Sequence, residues 1–264
     1  LISCMQELGR RYPKAGYGGN FEWWLRQDVP QPYNSWGNGA GMRVSPVGLY
    51  AKTLDEALYL AEITASVSHN HPEGIKGAKA IAASVFLCKT GKSKDEIKKY
   101  VQASFGYNLE RAISEIRPNY YFDVSCQGSV PEAIIAFLEG NSFEEVIRLA
   151  ISIGGDSDTI GCMAGAIAAC IYPIPEEITE KCNSILTDDL RVIKDAFIEK
   201  IFEQELGQEP DIIWNMDDVE HTIVSKSVKL VNKESADNSD VYDLKRFRPV
   251  RLKSDYRSNI PPHF

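Results

Sequence analysis

An all-α fold is what this 264-residue sequence predicts, on three observations. Four segments pair a Ser or Thr with a Glu three residues later, the pattern by which a helix N-terminus satisfies two orphan amides reciprocally. The segments behind them carry apolar residues at helical spacing. Alternating, strand-like patterns are nearly absent before residue 210.

The elements follow in order. Helices are expected over about Ile2–Arg11 and Asn20–Gln27. The pair Thr53/Glu56 opens a helix whose Leu54, Ala57, Leu58, Ala61 and Val67, with Leu60 and Ile63, form a core-facing stripe. Helical spacing continues over Ile75–Lys89, and Ser93/Glu96 opens the next helix. Ser129/Glu132 is expected to start a helix carrying Ala133, Ile134, Phe137 and Leu138, and Ser142/Glu145 another. The segment Asp158–Ile171 is apolar on all sides from Gly161 onward. With Gly161 and Gly165 one turn apart, it is expected to run through the middle with neighbours pressed close. Asp188–Gln204 completes the helical body, with Thr187 as its N-cap and two acids in its first turn.

Composition shifts after Gly207. From Lys233 to Phe264, seven Lys/Arg stand against five Asp/Glu with few apolar residues, and His221–Val231 alternates like a strand. The expected organisation is a helical domain over residues 1–207 and a non-helical C-terminal extension over 208–264, partly strand or disordered.

Charge and cysteines narrow the function classes. The 29 Lys+Arg against 37 Asp+Glu leave a net charge of -8, which argues against nucleic acid or a membrane surface held by bulk charge. An anionic ligand needs a local pocket. No apolar run reaches the ~18 residues of a membrane span, and nothing near Leu1 reads as a signal peptide, so a cytoplasmic protein is expected. Six scattered cysteines with no C-x-x-C pair read as free thiols.

Three stretches could carry chemistry. The first is Gly154-Gly155-Asp156-Ser157-Asp158-Thr159-Ile160-Gly161. Two carboxylates and a hydroxyl on one tight turn are hard oxygen ligands suited to Mg²⁺ or Mn²⁺; equally, Asp158 could N-cap the helix while Asp156 braces the loop. The second is Ser35-Trp36-Gly37-Asn38-Gly39-Ala40-Gly41-Met42-Arg43, a Gly-rich loop leading into a short helix. Its exposed amides suit a diphosphate, with Arg43 as a charge partner, although it lacks the P-loop lysine and Gly-rich turns are common. The third, Ser68-His69-Asn70-His71-Pro72-Glu73-Gly74, invites a zinc site, but no third ligand lies at a recognisable spacing.

In this order, and in an all-α chain, these stretches resemble the ADP-ribosylglycohydrolase family. The resemblance covers YPKAGYGGNF at Tyr12–Phe21, SWGNGAGMRVSPVGL at Ser35–Leu49, SHNHPEGIKGAKAIA at Ser68–Ala82, CQGSVPEAI at Cys126–Ile134, and GGDSDTIG at Gly154–Gly161. It implies a single orthogonal helical bundle and metal-dependent hydrolysis of the glycosidic bond between ADP-ribose and a modified protein side chain or other acceptor. The implied partner is an ADP-ribosylated protein or a small ADP-ribosyl substrate, with no direct nucleic acid and no membrane.

Carried over by motif, Asp156, Asp158 and Thr159 are metal ligands in a two-cation Mg²⁺ or Mn²⁺ site of the complete protein. Ser35, Gly37, Asn38 and Gly39 line the diphosphate, Trp36 stacks near the adenine, and His69 meets a phosphate or ribose. Family members also carry an N-terminal Thr-Asp-Asp-Thr run, and that run and the family's catalytic acids are expected upstream of Leu1. Thr187-Asp188-Asp189 does not replace it, because Leu190 stands where the last Thr belongs and the run lies on the wrong side of the GGDSDT turn. The expectation is therefore a shortened hydrolase with impaired activity, and the alternative is a non-catalytic ADP-ribose-binding module.

Overall fold

A computed structural model describes residues 1–206 and, over them, is helical throughout. The thirteen α-helices among the described residues are α1 (Ile2–Arg11), α2 (Gly19–Leu25), α3 (Gly39–Met42), α4 (Ser45–Tyr50), α5 (Leu54–Ser66), α6 (Pro72–Lys89), α7 (Lys94–Phe105), α8 (Ile113–Ile116), α9 (Cys126–Glu139), α10 (Phe143–Ser152), α11 (Ser157–Ala168), α12 (Glu176–Ile185) and α13 (Asp188–Leu206). A 3₁₀ turn over Arg117–Asn119 follows α8. The strand expected over His221–Val231, and the whole 208–264 extension, lie outside the described residues.

Three of the four expected helix starts hold. Thr53, Ser93 and Ser142 each accept the backbone N–H of the Glu three residues on. Only Ser93 closes the reciprocal box; Glu56 and Glu145 reach one residue further back, to the N–H groups of Lys52 and Asn141. The fourth is corrected. Ser129 lies one turn inside α9, its hydroxyl donating to the Ser125 carbonyl at 2.6 Å, and the N-cap is Ser125, which accepts from Gly128 N–H. Ser125 has Gly128 rather than Glu three residues on, so the box pattern points past it to the next Ser. The displaced Glu132 is buried rather than capping.

The chain forms two units, residues 1–179 and 180–264. In the first, α6 is the centre: it packs on α3, α4, α5, α7, α9 and α11, and it is buried from Ala80 through Cys88. Small residues make this possible. A Cβ on Gly48 would stand 2.6 Å from the Ala82 carbonyl, and one on Gly77 2.5 Å from Cys126 Sγ. The expectation of a central α11 is met in part. The helix packs on α3, α6, α9 and α10, and Gly165 admits Ile147 to 2.8 Å of a would-be Cβ. Around Gly161, however, the nearest atom is Ile151 Cγ1 at 3.8 Å, and Cys162 faces outward. α6 and α9 carry the deeper core, since Ala80, Ile81, Ala82 and Val85 of α6 and Val130, Ala133, Ile134 and Ile135 of α9 are all buried.

At the N-terminal edge, Gln6 and Arg10 of α1 donate to the Leu25 and Gln27 carbonyls at the end of α2, using side chains in place of a capping turn. In the second unit, α13 begins at Asp188 directly after Thr187, whose hydroxyl donates to the Asp189 carboxylate at 2.5 Å. That agrees with a structural reading of Thr187-Asp188-Asp189. All six cysteines are free, as expected.

Candidate functional site

Two of the helices just described begin at the candidate stretches. α11 starts at the acid turn and α6 starts directly after His69–His71, with α3 carrying the Gly-rich loop between them. α3 sits against both helices because Gly41 has no side chain: a Cβ there would stand 2.9 Å from Met163 Sδ of α11 and 3.6 Å from Ile81 of α6. All three stretches meet.

The loop is held from three sides. Gly37 forms an antiparallel bridge with Ser125, Asn38 N–H donates to the Val124 carbonyl at 2.8 Å, and Cys126 N–H donates to the Trp36 carbonyl at 2.9 Å. Gly74, in the first turn of α6, lies so close that an added Cβ would stand 2.6 Å from the Ser35 carbonyl. Ser35 Oγ accepts the Gly37 N–H at 3.1 Å. These contacts leave Trp36 53% exposed, its ring edge-on to His71 at 5.6 Å.

The decisive contact spans 118 residues of sequence. Asn38 Nδ2 donates to Asp156 Oδ2 at 2.6 Å, and Asn38 is almost completely buried in making it. The acid turn itself depends on Gly154 and Gly155, both in the left-handed region at φ 81° and 61°. A Cβ on Gly155 would also stand 2.6 Å from the Tyr120 ring. Asp156 occupies the N-cap position of α11, but its side chain makes no cap hydrogen bond. Asp158 lies in the first turn, and its Oδ1 accepts the N–H of the adjacent Thr159 at 2.9 Å. The reading of Asp158 as an N-cap therefore fails, whereas Asp156 does brace the loop, through Asn38.

Charge is unevenly satisfied here. Burial pushes the Asp156 carboxyl up, opposed by the Asn38 hydrogen bond and reinforced by Asp158. Asp158 is held down, chiefly by its side-chain hydrogen bond with Asp156 and then by the Thr159 N–H. Two carboxyl groups this close oppose each other's ionisation and titrate as a pair. Thr159, buried beside them, has its hydroxyl 3.7 Å from Met42 Sδ. Two carboxylates and a hydroxyl fit one side of a Mg²⁺ or Mn²⁺ site, since such an ion takes one or two carboxylates and fills its other positions with water or substrate oxygens. Among the described residues, no group of three or more His, Cys, Asp or Glu side chains could hold a metal ion by itself.

Behind the loop lies a basic counterpart. Arg43 donates to the Thr64 carbonyl and to Ser68 Oγ, both at 2.9 Å, and approaches His69 Nδ1 at 3.5 Å. All are neutral. Burial holds the guanidinium below its ordinary value and, with the Arg43 charge second, depresses the His69 imidazole to about 3. His69 is thus neutral. Its Nδ1 faces Ser68 Oγ at 2.8 Å and the donor-only guanidinium, so the network puts the ring proton on Nε2. That Nε2 lies beneath the loop, 3.5 Å and 3.3 Å from where Cβ atoms on Gly37 and Gly39 would be. The zinc reading of His69 and His71 has no support, because His71 Nδ1 accepts the Glu73 N–H.

Sequence reasoning passes over Val124, Ser125 and Tyr33, and it gives no task to Ser68, Gly74 or Cys126 within the stretches it singles out. Tyr33 stands 5.8 Å from the His69 ring, and its N–H donates to the Ser68 carbonyl. These residues act through backbone atoms or through a neighbour's side chain, which leaves no periodicity or motif to detect.

The helical bundle thus presents a glycine loop and a neutral histidine beside a carboxylate pair. The profile of the ADP-ribosylglycohydrolase family matches residues 4–208, and the chain belongs to that family. Among its relatives, the ADP-ribosylhydrolase ARH3 of Homo sapiens is 26% identical over 208 residues, covering 59% of this chain and 56% of that protein. The ADP-ribosylarginine hydrolase Tri1 of Pseudomonas putida is 25% identical over 177 residues, covering 61% and 47%. An uncharacterised protein of Archaeoglobus fulgidus is 33% identical over 159 residues, covering 54% and 52%. The chain spans about half the length of these curated relatives. A solved ADP-ribosylglycohydrolase-related protein complex has a similar fold, with a TM-score of 0.53, 25% identity and 66% of each chain covered. No helix among the described residues is long and apolar enough to cross a membrane.

Proposed function

We propose that this chain binds ADP-ribose across the Gly-rich loop and the acid turn, and that the site serves hydrolysis of the glycosidic bond joining ADP-ribose to a protein side chain or other acceptor. The observation that carries the reading is the Asn38–Asp156 hydrogen bond, which makes one site of an anion-binding loop and a pair of cation-binding carboxylates. Each part has a task. The amide of Gly39, with the Nε2–H of His69, donates to the diphosphate, the Gly37 N–H being engaged by Ser35 Oγ, and Arg43 supplies charge from behind. The neutral His69 donates without adding charge. Ser35 holds the loop in shape, and the half-exposed Trp36 offers a face for the adenine.

Asp156, Asp158 and Thr159 would hold Mg²⁺ or Mn²⁺ on one side of a two-cation site, and such an ion supplies polarisation of bound oxygens and a more acidic water. The protein's own contribution is orientation. Asn38 fixes the Asp156 carboxylate relative to the loop, so that a diphosphate on the loop leaves its distal ribose facing the acids. An ADP-ribosylated protein or a small ADP-ribosyl compound is the corresponding substrate.

Titration calorimetry with ADP-ribose, in Mg²⁺ and in chelator, tests the reading. Saturable one-to-one binding that tightens with Mg²⁺ is expected, and absence of binding in both conditions would refute the site. Incubation with arginine-linked and serine-linked ADP-ribosyl peptides then separates hydrolysis from binding alone: metal-dependent release of ADP-ribose marks the enzyme, and binding without release marks a non-catalytic module.

A further inference from the structure

The far ends of the two site-bearing helices also meet. α6 begins beside His69 and ends at Lys89, one residue past Cys88; α11 begins at the acid turn and ends at Ala168, two residues before Cys170. Each thiol donates into the other's helix: Cys88 Sγ to the Ile167 carbonyl at 3.4 Å, and Cys170 Sγ to the Val85 carbonyl at 3.7 Å. Each acceptor lies three residues before the opposite cysteine, so the two side chains cross. No part of the proposed ligand site involves them.

We propose that Cys88 and Cys170 form a peroxide-sensitive dithiol that closes to a disulfide and clamps the distal ends of α6 and α11. The two sulfurs have unequal roles. Cys170 is partly exposed and can meet a small oxidant, whereas Cys88 is 2% exposed and can react only with what is already beside it. Each thiol acts chiefly on the other, so that Cys170 is held below its ordinary value and Cys88 above it, and the Lys89 ammonium adds to this at Cys170.

The chemistry balances with hydrogen peroxide as the named oxidant. The Cys170 thiolate attacks one peroxide oxygen, the O–O bond breaks, and the departing hydroxide takes a proton to become water. Cys88 sulfur then attacks the Cys170 sulfenic acid, the S–S bond forms, and the Cys88 proton leaves with the hydroxyl as a second water. The two thiols together lose two electrons, and the peroxide gains them.

The test uses the reduced full chain, treated with hydrogen peroxide, alkylated under native conditions and mapped by peptide mass spectrometry. A Cys88–Cys170 cross-linked peptide, with loss of two hydrogens, is expected. It should appear in the wild type and in a Cys4→Ser, Cys162→Ser, Cys182→Ser triple variant. The variant Cys88→Ser should instead accumulate a dimedone-trapped sulfenic acid on Cys170. Should that substitution disturb the core, Cys170→Ser at the partly exposed position gives the complementary result, with Cys88 unoxidised. Recovery of both Cys88 and Cys170 as unmodified thiols while exposed cysteines oxidise would overturn the proposal, as would cross-links only to Cys4, Cys162 or Cys182.

Discussion

Two guanidinium groups lie near the core, and their surroundings differ in kind. Arg111 donates to Glu132 Oε1 at 2.8 Å, so a buried carboxylate meets its charge. Among the described residues, Arg43 meets only the Thr64 and Ala65 carbonyls, a hydroxyl and a neutral imidazole. In the Arg111–Glu132 pair each charge meets its opposite, and the contact ties the approach to α8 onto α9. Arg43 is a cation that the protein solvates but does not neutralise, directly behind a loop suited to anions. Under the proposed function, the difference separates structural charge from charge kept for a ligand.

Breaking the structural pair should give the largest effect. Glu132→Ala removes a carboxylate whose other oxygen already lacks a hydrogen-bond partner among the described residues, and it opens a cavity inside α9. We expect a loss of about 3 kcal/mol in urea unfolding, with ADP-ribose affinity changed little. A stability change under about 1 kcal/mol would show that Arg111 turns to solvent without cost.

The His69 side of the comparison is visible in pH. The folded value near 3 lies below the ordinary 6.5, so between the two the unfolded chain binds a proton that the folded chain refuses. Stability must therefore fall as pH drops through that window, by about 2 kcal/mol between pH 7 and 5 at ~1.4 kcal/mol per pH unit below 6.5. Glu132 has the opposite sign, because burial raises its carboxyl and the folded state holds that proton longer as pH rises. Stability curves of the wild type and His69→Gln should diverge between pH 7 and 5, the variant being the flatter.

Removing the unneutralised cation should alter binding more than folding. Arg43→Met is expected to weaken ADP-ribose about tenfold by calorimetry, or about 1.4 kcal/mol. Its stability cost should stay near 1 kcal/mol or below, because what is lost is a cation at the C-terminal carbonyls of α5. The smallest effect belongs to the link between loop and turn. Asn38→Ala should cost about 1 kcal/mol of affinity, roughly fivefold, and should also reduce the tightening of ADP-ribose by Mg²⁺.

These contacts show where sequence reading succeeds. The starts at Thr53, Ser93 and Ser142 are legible because a cap involves neighbours three residues apart. Ser125 escapes because the residue three positions on is Gly128, which has no carboxylate to complete the pattern. The short α4 and α8, and the polar α12, lack the long apolar stripe that makes a helix readable. The site behaves alike: residue types suited to a diphosphate or a cation are visible in each stretch, but the Asn38–Asp156 contact that unites them depends on packing between α3, α6 and α11. The Arg43–Ser68–His69 network is likewise tertiary, and it determines that the histidine is neutral and which nitrogen donates.

The central claim is that the Gly-rich loop and the acid turn hold one ligand together. Determining the crystal structure of this chain with ADP-ribose and Mg²⁺ tests it most directly. The account predicts the diphosphate on the Gly-rich loop at the Gly39 amide, above His69, and the distal ribose hydroxyls facing Asp156 and Asp158. Ligand bound instead in the groove lined by Tyr100, Phe105 and Lys79, or spanning neither the loop nor the turn, would contradict it.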